Sequence, residues 1–203
     1  MLPIHPVEEL LWDIDQAWQN QAIERIRLRI LGSSALFLQT DYRRGTKDSD
    51  VLETAELRDG ASQQLLALAG KGARLHRRHG MYLELLPSAF PFLAEEPNWV
   101  PRPELDADLR YFSIEVLDVV DVVVAKLARL HGPDRGDINA MVLQGRVDPA
   151  TLLERFESAA RRIWHDARAE DLPRYVQNLH SVQRDLLGVD ETPIELPSWV
   201  AGE

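Results

Sequence analysis

The stretch Leu31-Gly32-Ser33-Ser34-Ala35-Leu36 decides the fold of this chain, together with Thr46-Lys47-Asp48-Ser49-Asp50, which follows it closely. The first segment predicts a strand that ends in a Gly-Ser turn. The second predicts a strand that carries two carboxylates two residues apart. Because residues i and i+2 of a strand point to the same face, Asp48 and Asp50 aim two anions at one spot.

This pair of anions indicates a cation site. Two carboxylates held close together repel unless a cation lies between them, and Mg²⁺ is usually held by one or two carboxylates plus the phosphates of a substrate. The Gly-Ser turn adds small residues and backbone N–H groups that suit a phosphate. The two segments together predict chemistry on a nucleoside triphosphate.

Both segments also have a purely structural interpretation. Residues 47–50 are hydrophilic throughout, which is typical of a polar turn ahead of a strand. The Gly-Ser segment can be a tight strand-to-helix connection in which a serine caps the helix. The functional interpretation is favoured because the turn and the two acids occur together, in this order.

Length and composition argue against several classes of protein. The chain has 203 residues, of which 45% are hydrophobic, which suits one medium domain or two small ones. It has no cysteine, so disulfides and cysteine-ligated metals are excluded. No apolar run approaches the roughly 20 residues that a membrane span needs, and the first residues show no signal-peptide pattern. We expect a cytoplasmic protein that does not contact membranes.

The charge is distributed unevenly along the chain. The formal net charge of −10 argues against binding nucleic acid over the whole surface. Residues 21–80, however, contain 11 basic and 7 acidic side chains. Arg43, Arg44 and Lys47 lie beside the two acids in sequence, and Lys71 to Arg78 continues the basic character. This local excess can attract a polyanionic substrate, although a solvated helix face explains Lys71 to Arg78 equally well.

Hydrophobic periodicity predicts an α+β protein. Helical spacing follows Pro6, and alternating residues predict strands at 26–31, 48–52, 81–86 and 111–117, with one helix over 62–79 and an ordered loop over 87–103. Helices then follow one another from 119 to 187. We therefore expect an α/β core over 1–117, a helical subdomain over 118–188 and an extended tail over 189–203.

These segments resemble the minimal nucleotidyltransferase superfamily, which has the polymerase-β-like fold. The likeness lies in Leu31–Leu36, in Arg44–Asp50, and in a later block that includes Lys126-Leu127-Ala128-Arg129 and Pro133–Ile138. The likeness spans most of residues 25–155. Within this range the chain is similar to bacterial nucleotidyltransferase-like proteins related to the AbiEii toxins. Where the family usually has an apolar residue between the two acids, this chain has Ser49.

The resemblance implies a small mixed sheet flanked by helices, followed by a C-terminal helical bundle. It also implies that two Mg²⁺ ions and a nucleoside triphosphate bind at the site. Asp48 and Asp50 would be catalytic metal ligands, and Glu84 a third catalytic carboxylate from the neighbouring strand. The nucleotide-binding residues would be Gly32, Ser33, Ser34, Lys47, Lys126 and Arg129.

For three of these residues a structural role is an open alternative. Glu84 can simply face solvent beside Tyr82. Lys126 and Arg129 can pair with acids of the same helical block, because a buried lysine needs a partner.

Three functional interpretations remain open at this stage. The first is a Mg²⁺-dependent transferase that moves a nucleotide to an RNA or protein acceptor, as the toxin of a toxin–antitoxin pair with an antitoxin-like partner. The second is a catalytically degenerate member of the same fold that binds a nucleotide or a protein. The third is an interaction protein whose acidic surface suits a basic partner.

Overall fold

The computed structural model describes residues 5–19, 24–57, 60–196 and 198–201. Contacts divide the chain into two compact units. The first unit comprises residues up to Pro91 together with Trp99–Leu117, and the second comprises Phe92–Asn98 together with the chain from Asp118 onward.

The first unit is built on a five-stranded mixed sheet. Its strands are β1 (Ile26–Leu31), β2 (Asp48–Leu52), β3 (Tyr82–Leu86), β4 (Trp99–Pro101) and β5 (Phe112–Leu117), in the order β3-β2-β1-β5-β4. Strand β1 runs antiparallel to β2 and parallel to β5, while β2 is parallel to β3 and β4 is antiparallel to β5. This mixed sheet, with helices after it, confirms the α+β class.

Helices of the first unit pack against one another and against this sheet. They are α1 (Pro6–Ala17), α2 (Gly32–Gln39), α3 (Ala61–Ala69), α4 (Arg74–His79) and α5 (Pro103–Asp106). Helix α1 contacts α2, α3 and α4, and α2 also contacts β1, β2 and β5. The amide of Gln39 donates to the carbonyl of Leu117 at 2.7 Å, which fixes the end of α2 to the end of β5.

The prediction of one helix over 62–79 is wrong. The structure has two helices, α3 and α4, separated at residues 70–73. Gly72 has φ +84°, and a Cβ at Gly70 would lie 2.5 Å from the carbonyl oxygen of Leu66. Two glycines therefore turn the chain where the leucine periodicity suggests continuity.

Strand β4 and helix α5 were also missed. The segment 87–103 was predicted as a loop, but Trp99 and Val100 pair with Leu117 and Val116 of β5. A strand of three residues carries too little periodicity to be recognised, and its partner lies elsewhere in the sequence.

The second unit is helical. It contains α6 (Val119–Leu127), α7 (Gly132–Leu143), α8 (Pro149–Ile163), α9 (Leu172–Val182) and α10 (Ser198–Ala201). Asp148 caps α8 by accepting a hydrogen bond from the backbone N–H of Thr151. Helix α10 lies within the tail that was predicted as extended, so for these four residues that prediction is wrong.

Buried aromatic and charged groups hold this unit together. Phe92 packs edge-on against Phe156, with 5.5 Å between ring centroids, and also contacts Tyr175. The guanidinium of Arg155 donates to both carboxylate oxygens of Asp121 at 2.7 Å, and Asp121 is fully buried. None of the helices in the described ranges is long and apolar enough to cross a membrane.

Candidate nucleotide-binding site

The two acids of the opening motif lie on one face of the sheet. Strand β2 contains Asp48, Ser49 and Asp50; Ser49 is fully buried, Asp48 is exposed and Asp50 is half-buried. Alternation along the strand therefore directs both aspartates away from the core. The strand and its i, i+2 pattern agree with the sequence prediction.

The strand register brings a third carboxylate to the same face. Asp48 is the partner of Tyr82 in β3, and Asp50 is the partner of Glu84. Partners on neighbouring strands share a face, so Glu84 lies beside Asp50 and is exposed. Glu84 thus faces solvent beside Tyr82, as the structural alternative predicted, and is also next to Asp50. A catalytic role for it stays a prediction.

The Gly-Ser turn lies directly against Asp50. Gly32 begins α2 with φ +64°, in the left-handed region that favours glycine. A Cβ added to Gly32 would lie 2.4 Å from Oδ2 of Asp50, far inside ordinary contact. The absence of a side chain at residue 32 therefore allows the carboxylate to pack against the turn.

The two serines of the turn have different partners. The hydroxyl of Ser33 accepts a hydrogen bond from the guanidinium of Arg44 at 2.7 Å. Ser34 is buried, and its hydroxyl donates to the carbonyl oxygen of Asp48 at 3.4 Å, which joins the turn to β2. The hydroxyl of Ser34 is thus used within the fold, whereas Ser33 lies beside a guanidinium suited to a phosphate.

The start of α2 is a helix N-terminus, a position that suits an anion. The first N–H groups of a helix have no carbonyl partner within it, and no side chain caps α2 at Leu31. The partial positive charge at a helix N-terminus favours anions. The N-terminus of α2, the guanidinium of Arg44 and the closely packed carboxylate of Asp50 meet at this one turn.

The three acids also act electrostatically on a shared neighbour, Tyr82. The pKa of Tyr82 is raised above its ordinary value, first by partial burial and then by the negative charges of Asp48, Glu84 and Asp50. Near it, the hydroxyl of Thr46 donates to Oδ1 of Asp48 at 3.0 Å. The field of all three carboxylates therefore reaches one phenol.

The comparisons with known proteins agree with this geometry. A family model described as a nucleotidyltransferase of unknown function (DUF6036) matches residues 9–183. The chain belongs to this family. No curated protein and no solved structure shows a significant match to it.

The DUF6036 match includes every predicted site residue and extends over parts of both compact units. It supports the nucleotidyltransferase superfamily and, with it, a nucleotide substrate. The likeness to the AbiEii toxins stays a prediction.

Few of the described side chains of this DUF6036 protein are placed so that they could bind a metal ion together. Across the described part of the chain, no three His, Cys, Asp or Glu side chains are grouped so that they could hold a metal ion by themselves. Mg²⁺ is ordinarily bound through one or two carboxylates while phosphates and water complete its shell. Asp48 and Asp50 fit that donor set.

Lys126 and Arg129 lie in the second unit, where they form ion pairs. The Lys126 ammonium is 3.0 Å from Asp134 Oδ1 and 2.8 Å from Asp137 Oδ2, and all three side chains are buried. Arg129 binds Asp134 at 2.9 Å. The structural alternative for both residues is therefore observed, while a contact with nucleotide stays a prediction.

This cluster changes the acidity of Asp134. Burial alone would raise the pKa of its carboxyl, but the hydrogen bond from Arg129 and the charge of Lys126 outweigh burial and lower it to about 2. Asp134 is therefore fully ionised at neutral pH and holds α6 to the start of α7.

Two residues that matter at the site were not among the predicted site residues. The sequence places Arg44 only within the local excess of basic residues, and Tyr82 only as a neighbour of Glu84. The backbone N–H of Tyr82 donates to the carbonyl of Lys47 at 3.0 Å, so Lys47 lies at the end of the β2–β3 ladder. A signal for Arg44 was available in its positive charge close to the two acids.

The described cavity lies elsewhere in the first unit. It has a volume of about 550 Å³ and lies between α1, the end of α4 and the region of α5. Trp12, Asp13, His79 and Leu109 are among its lining residues. None of the predicted site residues lines this cavity.

Proposed function

We propose that this chain is a Mg²⁺-dependent nucleotidyltransferase that transfers a nucleotide from a nucleoside triphosphate to an RNA or protein acceptor. The observation that carries the proposal is the packing of Asp50 against Gly32. It brings a pair of carboxylates to a turn whose backbone donors suit phosphate. The carboxylates proposed to hold the metal therefore lie beside the turn proposed to bind the triphosphate.

In this proposal Asp48 and Asp50 hold the metal, and the first turn of α2 binds the β- and γ-phosphates. Arg44, which reaches Ser33, adds a guanidinium to the phosphate side. When bound, Mg²⁺ lowers the pKa of a coordinated hydroxyl and neutralises phosphate charge. The side chains of the turn and of β2 position the triphosphate so that its α-phosphorus faces the acceptor.

The reaction is an in-line substitution at the α-phosphorus. The acceptor oxygen forms a bond to the α-phosphorus as the bond to the bridging oxygen of the β-phosphate breaks, and pyrophosphate leaves. The hydroxyl proton passes to a carboxylate, for which Glu84 is the exposed group beside Asp50.

The test is label transfer from each α-labelled nucleoside triphosphate onto cellular RNA and protein, with and without Mg²⁺. The Asp48→Asn/Asp50→Asn variant should lose transfer by at least about 1,000-fold, because both metal ligands lose their charge. Glu9→Gln/Asp108→Asn is the matched control, since it removes two exposed carboxylates of the same unit. Equal transfer by the Asp48/Asp50 variant and wild type would refute the proposal.

The proposal extends to a toxin role, which the resemblance to AbiEii-related proteins supports. Expression of the wild-type chain should arrest growth of a host cell, and the Asp48→Asn/Asp50→Asn variant at the same level should not. Arrest by both proteins would show that growth inhibition does not depend on these carboxylates. Absence of arrest by either protein would contradict the toxin role.

A further inference from the structure

A basic surface lies at the connection between α3 and α4. We refer to residues 70–79 as the basic segment; its exposed cations are Lys71, Arg74, Arg77 and Arg78. No acidic residue occurs from Gly60 to Leu83, although the whole chain carries a formal charge of −10. The basic segment therefore opposes the overall charge of the protein.

This segment reaches the candidate site through Tyr82. The Lys71 ammonium lies 5.9 Å from the centroid of the Tyr82 ring, and the His76 ring packs edge-on against it at 5.2 Å. Tyr82 is the register partner of Asp48 and shares its face of the sheet. Lys71, the first cation of the basic segment, therefore lies next to the residue that pairs with Asp48, at the sheet edge formed by β3.

Only some of these cations form ion pairs or hydrogen bonds within the described part of the protein. Arg78 pairs with Asp13 at 2.9 Å, and Arg77 donates to the carbonyl of Gly72. Lys71 and Arg74, by contrast, form no ion pair with any residue in the described ranges. Arg74 also lies three and four residues from further arginines on α4, and like charges at these spacings repel. Internal packing does not account for the accumulation of charge, but a polyanion binding there does.

We propose that the acceptor is a polynucleotide strand whose phosphates bind the basic segment, with its terminal hydroxyl at the carboxylates. This inference rests on the proposed function and names its acceptor class. Phosphodiesters every few ångströms match a row of exposed cations that leads to the site. A protein acceptor would not require such a row.

Binding is measured apart from catalysis. Fluorescence anisotropy with end-labelled 20-nucleotide RNA and DNA, in EDTA and without nucleoside triphosphate, gives Kd as a function of KCl concentration. The Lys71→Gln/Arg74→Gln variant should bind about tenfold more weakly near 0.15 M salt, and its salt slope should fall by roughly 0.7 for each lost phosphate contact. The comparison of RNA with DNA identifies which strand is bound.

The matched control is Arg146→Gln/Arg161→Gln, which removes two exposed arginines of the second unit. It should keep wild-type Kd and salt slope. Equal affinities for Lys71→Gln/Arg74→Gln and this control would overturn the inference. So would transfer of labelled nucleotide to protein and not to either strand.

The two proposals fail in distinguishable ways. Asp48→Asn/Asp50→Asn should lose transfer but keep strand binding, because the basic segment is intact. If that variant still transfers nucleotide, the proposed site is wrong, whereas the binding comparison still tests the basic segment. Thermal unfolding of each variant checks that it is folded.

Discussion

Replacing Gly32 by alanine tests the packing on which the candidate site depends. Alanine at φ +64° costs about 1 kcal/mol of folding free energy, because Cβ crowds the backbone in the left-handed region. Its Cβ would also start 2.4 Å from Oδ2 of Asp50, whereas ordinary contact begins at 3.4 Å. The carboxylate or the turn must move by about 1 Å, and a displacement of that size costs roughly 100-fold in rate.

Gly145 provides the matched control. It has φ +65°, and a Cβ added there meets nothing within 4 Å. Gly145→Ala should lose the same ~1 kcal/mol of stability and keep full activity. Gly32→Ala should lose roughly 1–2 kcal/mol and about 100-fold in kcat/KM.

The assays are urea unfolding for stability and Mg²⁺-dependent label transfer for kcat/KM. Calorimetry with a non-hydrolysable nucleoside triphosphate separates lost binding from lost chemistry. Wild-type transfer by Gly32→Ala, at a stability equal to that of Gly145→Ala, would refute the reasoning, since the close approach to Asp50 would then have no functional consequence.

Three further predictions concern single residues. Ser49→Ala should raise the free energy of unfolding by about 1 kcal/mol in urea titrations, because the buried Ser49 hydroxyl has no hydrogen-bond partner among the described residues; a loss of stability would contradict this. Arg44→Ala should weaken nucleoside triphosphate binding about tenfold in calorimetry, because it removes the guanidinium beside Ser33; unchanged Kd would exclude Arg44 from the phosphate site. The pKa of Asp134 is lowered from 3.8 to about 2 in the folded protein, so its contribution to stability is fully present above pH 4 and is lost as pH falls through about 2. The free energy of unfolding should therefore drop by about 2 kcal/mol over that interval, and Asp134→Asn should lack this component.

Local patterns were sufficient to predict much of the first unit. The alternation of Ile26, Leu28 and Ile30 predicted β1, and the aspartates of β2 were placed on one face from their spacing alone. The Gly-Ser turn was predicted from its small residues, whose backbone can approach a phosphate closely. These features depend on residues near one another in sequence.

Features that depend on distant residues were not predictable in the same way. The resemblance placed Glu84 on the neighbouring strand, but its pairing with Asp50 depends on the β2–β3 register, which joins segments far apart in the sequence. The hydrogen bond between Arg44 and Ser33 requires the chain to fold back after α2. For Lys126, the sequence offered several acidic partners, and only the packing of α6 on α7 selects Asp134 and Asp137.

The break between α3 and α4 shows how a strong local pattern can mislead. Leu65, Leu66 and Leu68 precede Gly70, and Leu75 follows Gly72 at a helical spacing, so periodicity predicted a single helix. The glycines allow a turn that periodicity does not register. That turn brings Lys71 to Tyr82, and with it the basic segment to the candidate site.

The most direct test of the central claim is a crystal structure with Mn²⁺ in place of Mg²⁺ and a non-hydrolysable nucleoside triphosphate. The anomalous signal should place the metal between the carboxylates of Asp48 and Asp50, with the terminal phosphates on the first turn of α2. Metal and triphosphate bound away from these two carboxylates and from Gly32 would contradict the account.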